Sequence, residues 1–192
     1  WEFDGANWLQ RTNTNPPSGR TTALAYDAAR QRIVAFGGTA GSGPTVFDET
    51  WEFDGNIWQQ RNPITAPRAR ATAGGMVYDS NRQRVVIFGN WCGHNDGGCR
   101  LADTWEYNGV NWALAVDLSY PFHRRFSAAM AYDLTRQTSV LFGGWKDGLG
   151  YTDETWGFDG NTWTQRNPAI QPSGRDNFRL AYDPLRQRTV LF

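Results

Sequence analysis

The sequence predicts an all-β protein, a β-propeller built of four-stranded antiparallel blades. Three observations carry this. An octad that begins and ends in tryptophan occurs four times, with Trp pairs at 1/8, 51/58, 105/112 and 156/163. Its starts at residues 1, 51, 105 and 156 lie 50, 54 and 51 residues apart, a period that fits four short strands forming a sheet unable to bury both faces alone. No segment keeps a 3.6-residue apolar period, so essentially no helix is expected.

Each element follows from local chemistry. In Trp51-Glu52-Phe53-Asp54-Gly55-Asn56-Ile57-Trp58 the apolar residues alternate with polar ones, and Asp54-Gly55 marks a tight turn because glycine tolerates positive φ. The octad is therefore a hairpin. A second motif runs from Tyr-Asp through a turn ending in Arg to a short apolar strand: Tyr26-Asp27 to Phe36, Tyr78-Asp79 to Phe88, Tyr132-Asp133 to Phe142 and Tyr182-Asp183 to Phe192. The Asp-to-Arg separation is three residues in all four copies. The Pro-rich stretch from Thr12 to Gly19 is a connection, since proline cannot sit inside a central strand.

An apolar strand, a Gly-Gly pair, a variable loop, an aromatic, six residues and a tryptophan resemble the Kelch repeat, in the form also found in the galactose-oxidase propeller. Gly37-Gly38, Trp51 and Trp58 fill these positions, as do Gly143-Gly144, Trp156 and Trp163. Gly89-Asn90 replaces the second pair, and Trp stands where such repeats usually carry Tyr. The resemblance implies four Kelch-like repeats in a single domain, residues 1–192, with the Tyr-Asp strand innermost and the octad outermost. Blades are expected at about 20–61, 70–116 and 125–166. A terminal blade shared between the N- and C-terminal strands takes 177–192 together with 1–11. A closed four-blade ring, an excerpt of a larger ring, and association of copies through exposed blade edges are the arrangements this leaves open.

The composition is globular, 40% hydrophobic and 15% aromatic. Equal numbers of acidic and basic residues, 19 each, argue against nucleic acid as a partner, and no run of about 20 apolar residues suggests membrane insertion. Trp1 is not a translational start, so a processed or excised product is expected. Nearly all the basic residues are arginine, with Lys146 the single lysine.

Function belongs on the face with long, variable loops. Cys92 and Cys99 lie in the least repetitive one, and a secreted, extracellular or periplasmic location would make them a disulfide. Free thiols, or zinc held by Cys92, His94 and Cys99, are the alternatives, although a fourth ligand is missing. Trp91 and Trp145 stand outside the repeat and open variable loops. Such rings can stack on a sugar or clamp a partner, with His94, Arg100, Asp147 and Tyr151 fixing orientation, or can simply cover neighbouring blades. Tyr120 and His123 belong to a second aromatic and basic insertion, again either a binding surface or a packed connector. Arg20, Arg70, Arg125 and Arg175 start the inner strands; pairing with Asp48, Asp103 and Asp153 is expected, an anion site being the alternative. No catalytic motif is present, so the reading is a non-catalytic module, without a cofactor, that binds protein or carbohydrate. The alternatives are a galactose-oxidase-like copper enzyme and a structural blade array within a larger assembly.

Overall fold

The computed structural model describes residues 1–11, 15–41, 45–71, 75–93, 100–117 and 124–192, without the Arg100 side chain. The described chain is all-β. It opens with a two-stranded sheet, β1 (Glu2–Phe3) and β2 (Trp8–Leu9). The first four-stranded sheet follows: β3 (Thr21–Asp27), β4 (Arg32–Thr39), β5 (Thr50–Phe53) and β6 (Trp58–Arg61). The second comprises β7 (Met76–Asp79), β8 (Arg84–Trp91), β9 (Arg100–Tyr107) and β10 (Trp112–Asp117). Next come β11 (Arg125–Phe126), β12 (Ala129–Asp133), β13 (Thr138–Phe142), β14 (Trp145–Lys146), β15 (Gly150–Tyr151), β16 (Thr155–Phe158) and β17 (Trp163–Arg166). Of these, β12, β13, β16 and β17 form the third four-stranded sheet, while β11, β14 and β15 form a small sheet of their own. The last pair is β18 (Leu180–Asp183) with β19 (Arg188–Leu191).

Every strand pair is antiparallel, and the three four-stranded sheets share one register. Phe36 faces Thr50, Phe88 faces Thr104 and Phe142 faces Thr155 across their second and third strands. This is a propeller-like series of blades. The expected shared terminal blade does not form among the described residues: β1–β2 and β18–β19 are separate two-stranded sheets. The physical reason is visible in how the blades stack. Inner strands contact in series, β3 on β7, β7 on β12 and β12 on β18, and no comparable contact returns β18 to β3.

Among the described residues three apolar cores lie between successive sheets, the smallest being Ala129 and Phe142 of the third blade with Phe178, Leu180 and Leu191. Val34 and Phe36 of the first pack on Val85, Ile87, Tyr107 and Trp112 of the second, and Val86 and Phe88 of the second pack on Leu141, Phe158 and Trp163 of the third. The return-strand tryptophan is the key piece. Trp112 sits edge-on to Phe36 and donates its indole N–H to the buried Thr50 hydroxyl at 2.9 Å. Trp163 repeats this with Phe88 and Thr104, at 2.8 Å. Hydrophobic area and a satisfied indole therefore coincide at each joint.

A second set of contacts ties the turn after the inner strand to the octad. Asp27 binds Arg30 at 2.7 Å, Arg30 also binds Glu52, and Glu52 binds Arg61 at 2.8 Å. Asp79, Arg82 and Glu106 repeat the first two links. Arg30 and Arg82 also lie against the turn glycines of the following blade, where a Cβ on Gly109 or Gly160 would come within 2.6 and 2.4 Å of the guanidinium carbon. Glycine suits these positions because of their positive φ, and a Cβ would also have to displace the guanidinium.

The octad tryptophans divide by burial. Trp51, Trp112 and Trp163 are buried, whereas Trp1 and Trp8 are 72% and 65% exposed because no sheet covers β1–β2. Trp112→Ala is expected to cost about 3–5 kcal/mol of unfolding free energy in urea titrations. Trp112→Phe, which keeps the ring but loses the bond to Thr50, is expected to cost about 1–2 kcal/mol.

Candidate binding surface

Arginines at the inner-strand starts anchor the loop face. Arg70 is fully buried and grips Asp103 through both carboxylate oxygens at 2.8 Å. Trp105 donates its indole N–H to the same carboxylate at 2.8 Å. Arg125 and Trp156 converge likewise on Glu154, at 2.6 and 2.9 Å, and Arg20 and Trp51 on Glu49, at 2.8 and 2.9 Å. Asp103 is a partner as expected, but Asp48 and Asp153 are not. The carboxylate always stands two residues before the octad tryptophan, since only there can it meet both the indole and the guanidinium. Three of the four arginines are neutralised in this way, which weakens the anion-site reading; the Arg175 guanidinium bonds to Ser173.

The third blade adds a hairpin to this framework. β14 and β15 are joined by a tight turn in which Leu149 donates its N–H to the Lys146 carbonyl at 3.1 Å. Trp145 and Tyr151 are cross-strand partners, their rings perpendicular with centroids 4.9 Å apart. Phe126 of β11 flanks Trp145 on its other side at 6.4 Å. The Lys146 ammonium is buried against Glu154 at 2.6 Å. An ion cluster therefore holds the base of the hairpin while its aromatics stand toward solvent, Trp145 half-buried and Tyr151 55% exposed. Asp147 follows in the turn, partly buried, with its N–H on the Arg124 carbonyl.

Other predicted residues are less concentrated. Trp91 ends β8, half-buried and paired with Arg100 across the strands. The small sheet packs nearby, because β11 contacts β8 and β9. Cys92 is buried, and no cysteine is free among the described residues. His94, Cys99, Tyr120 and His123 lie outside the described residues, as does the Arg100 side chain. Among the described residues no group of three or more His, Cys, Asp or Glu could hold a metal. Sequence reasoning missed Phe126, Lys146 and Glu154 as parts of this surface. The one available signal was Lys146, the single lysine of the chain.

No family model matches this chain, and no curated protein is similar to it in sequence.

Burial pushes the Glu154 carboxyl up, but Lys146, the Trp156 indole and Arg125 outweigh it and hold the group at about 2, below its ordinary 4.5. A depressed folded-state pKa contributes stability above the unfolded value, lost as pH falls through the folded one. The urea midpoint is therefore expected to fall as pH drops from 4.5 toward 2, and to fall less steeply in Glu154→Gln. That variant is also expected to be less stable at pH 7 by about 3 kcal/mol, because Arg125 and Lys146 stay buried without a counter-charge.

Proposed function

We propose that the chain is a non-catalytic binding module that recognises protein or carbohydrate through its loop face. One observation carries the reading: Trp145 and Tyr151 form a perpendicular aromatic pair on a short hairpin whose base is clamped by Arg125, Lys146 and Glu154. Aromatic plates held this rigidly lose little entropy when a flat ligand stacks on them, and sugar C–H faces or planar side chains match their shape. Asp147 in the same turn supplies a polar group beside the rings. The Kelch resemblance supports the assignment of loops to this face and is itself part of the proposal, as are a secreted, extracellular or periplasmic location and a Cys92–Cys99 disulfide closing the adjacent loop.

Trp145→Ala and Tyr151→Ala are each expected to weaken binding of a glycan-array or purified-protein ligand at least tenfold, while leaving the urea midpoint within about 1 kcal/mol of wild type. Unchanged affinity in both variants would remove this surface as the site. Stoichiometric bound copper with oxidase activity would replace the binding reading with an enzymatic one.

A further inference from the structure

Three of the four octads turn on Asp-Gly, at Asp4-Gly5, Asp54-Gly55 and Asp159-Gly160, whereas the second blade turns on Asn108-Gly109, the single Asn-Gly pair of the chain. The turns are otherwise alike. Asp54 accepts the N–H groups of Asn56 and Ile57 at 2.9 and 2.8 Å, and Asp159 those of Asn161 and Thr162, both at 2.8 Å. Asn108 accepts those of Val110 and Asn111 through Oδ1, again at 2.8 Å. An amide thus fills a place that elsewhere holds a carboxylate. The same turn N–H groups keep the Asp54 and Asp159 carboxyls below their ordinary range, with a smaller contribution from Arg82 at Asp159.

The setting fits an intramolecular reaction. Asn108 is exposed, so water reaches its side chain and ammonia has a way out. Gly109 has a φ of +93° and no Cβ to hinder its nitrogen. The two bonds to Oδ1 polarise the Asn108 side-chain carbonyl and hold it over the turn. Arg30 of the first blade lies against Gly109, where a Cβ would come within 2.6 Å of the guanidinium carbon. Its Nε and Nη1 are taken by Asp27 and Glu52, and its Nη2 is buried without a hydrogen-bond partner. A fixed positive charge there favours the negative charge that develops at the Gly109 nitrogen during attack.

We infer that Asn108 is a self-modification site, deamidating to α-aspartate in the folded chain. The Gly109 nitrogen attacks Asn108 Cγ. An N–Cγ bond forms, the Cγ–Nδ2 bond breaks, and the Gly109 N–H proton leaves with the amide nitrogen as ammonia. Water then opens the five-membered imide. Addition at Cγ breaks the new bond and gives aspartate, whereas addition at the main-chain carbonyl gives isoaspartate, with an extra methylene in the backbone. The fold selects between them. An extra methylene at residue 108 disrupts the turn that pairs Tyr107 with Trp112, and Trp112 fills the joint with the first blade. Isoaspartate therefore closes again to the imide, while aspartate is trapped by the two N–H groups already aimed at it, as bonds to a carboxylate are stronger than bonds to an amide. The modified chain carries one more negative charge than its formally neutral parent.

Ageing the folded full chain in mildly alkaline buffer tests this. A more acidic species is expected to grow on ion exchange, with the peptide that spans residue 108 gaining about 1 Da. Enzymatic methylation of isoaspartate is expected to label a minor part of that product, but most of the product when the same chain is aged unfolded in urea. Asn108→Asp is expected to elute with the aged species and to keep at least the wild-type urea midpoint, with an unchanged near-UV circular dichroism spectrum. Asn108→Ser keeps an acceptor for the turn but has no amide to cyclise, and is expected not to yield the species. A folded chain that stays unmodified while the unfolded chain reacts overturns the inference. So does isoaspartate as the main product in the folded chain, a lowered midpoint in Asn108→Asp, or an acidic species that forms equally in Asn108→Ser.

Discussion

The blade-to-blade joint is the contact on which the rest of the structure depends. A single antiparallel sheet of four short strands has two faces to cover and too little area of its own to do so. Trp112 and Trp163 resolve this by spending one side chain on two tasks. Each fills the gap beside a phenylalanine of the preceding blade and each gives its indole N–H to a buried threonine hydroxyl there. An apolar residue in their place would leave that hydroxyl without its partner, and a smaller one would leave a cavity.

Charge placement reinforces the joint at both faces. On the turn face, arginine bridges aspartate and glutamate within its own blade and lies over the turn glycine of the next. On the loop face, a carboxylate two residues before the octad tryptophan collects a buried guanidinium and an indole. Arg70 and Arg125 are fully buried, which only closely paired and hydrogen-bonded charges can sustain. Arginine suits these positions because its planar fork serves several acceptors at once. The sole lysine occupies a place where the third blade departs from the plan, beneath the Trp145–Tyr151 hairpin. Glu154 there holds the repeat and its departure together, accepting from Arg125, Lys146 and Trp156.

Exposure of the same motif at the chain's two ends shows how much of its behaviour comes from neighbours. Trp163 is 8% exposed and Trp8 is 65% exposed, although both occupy the last position of an octad. Likewise Asp27 and Arg30 are largely enclosed while Asp183 and Arg186 are not. These copies are close in local sequence. The difference is whether a sheet lies alongside.

Period, strand alternation and turn chemistry were all legible in the residues, because each depends on atoms close along the chain: Asp54-Gly55 turns tightly wherever it is placed, and Trp51-Glu52-Phe53 alternates whatever it packs on. From these alone came the four repeats, the absence of helix among the described residues, the expectation that function belongs on the loop face, and Trp145 and Tyr151 as candidates. Tertiary structure decided what depends on partners distant in sequence. It chose Glu49 and Glu154 over Asp48 and Asp153, since which carboxylate meets an arginine 29 residues away turns on strand pairing. It put Lys146 under the aromatic hairpin and Phe126 beside it. It also showed β1–β2 and β18–β19 as separate two-stranded sheets, because pairing between strands so far apart in sequence depends on where each sheet lies and not on the local residues.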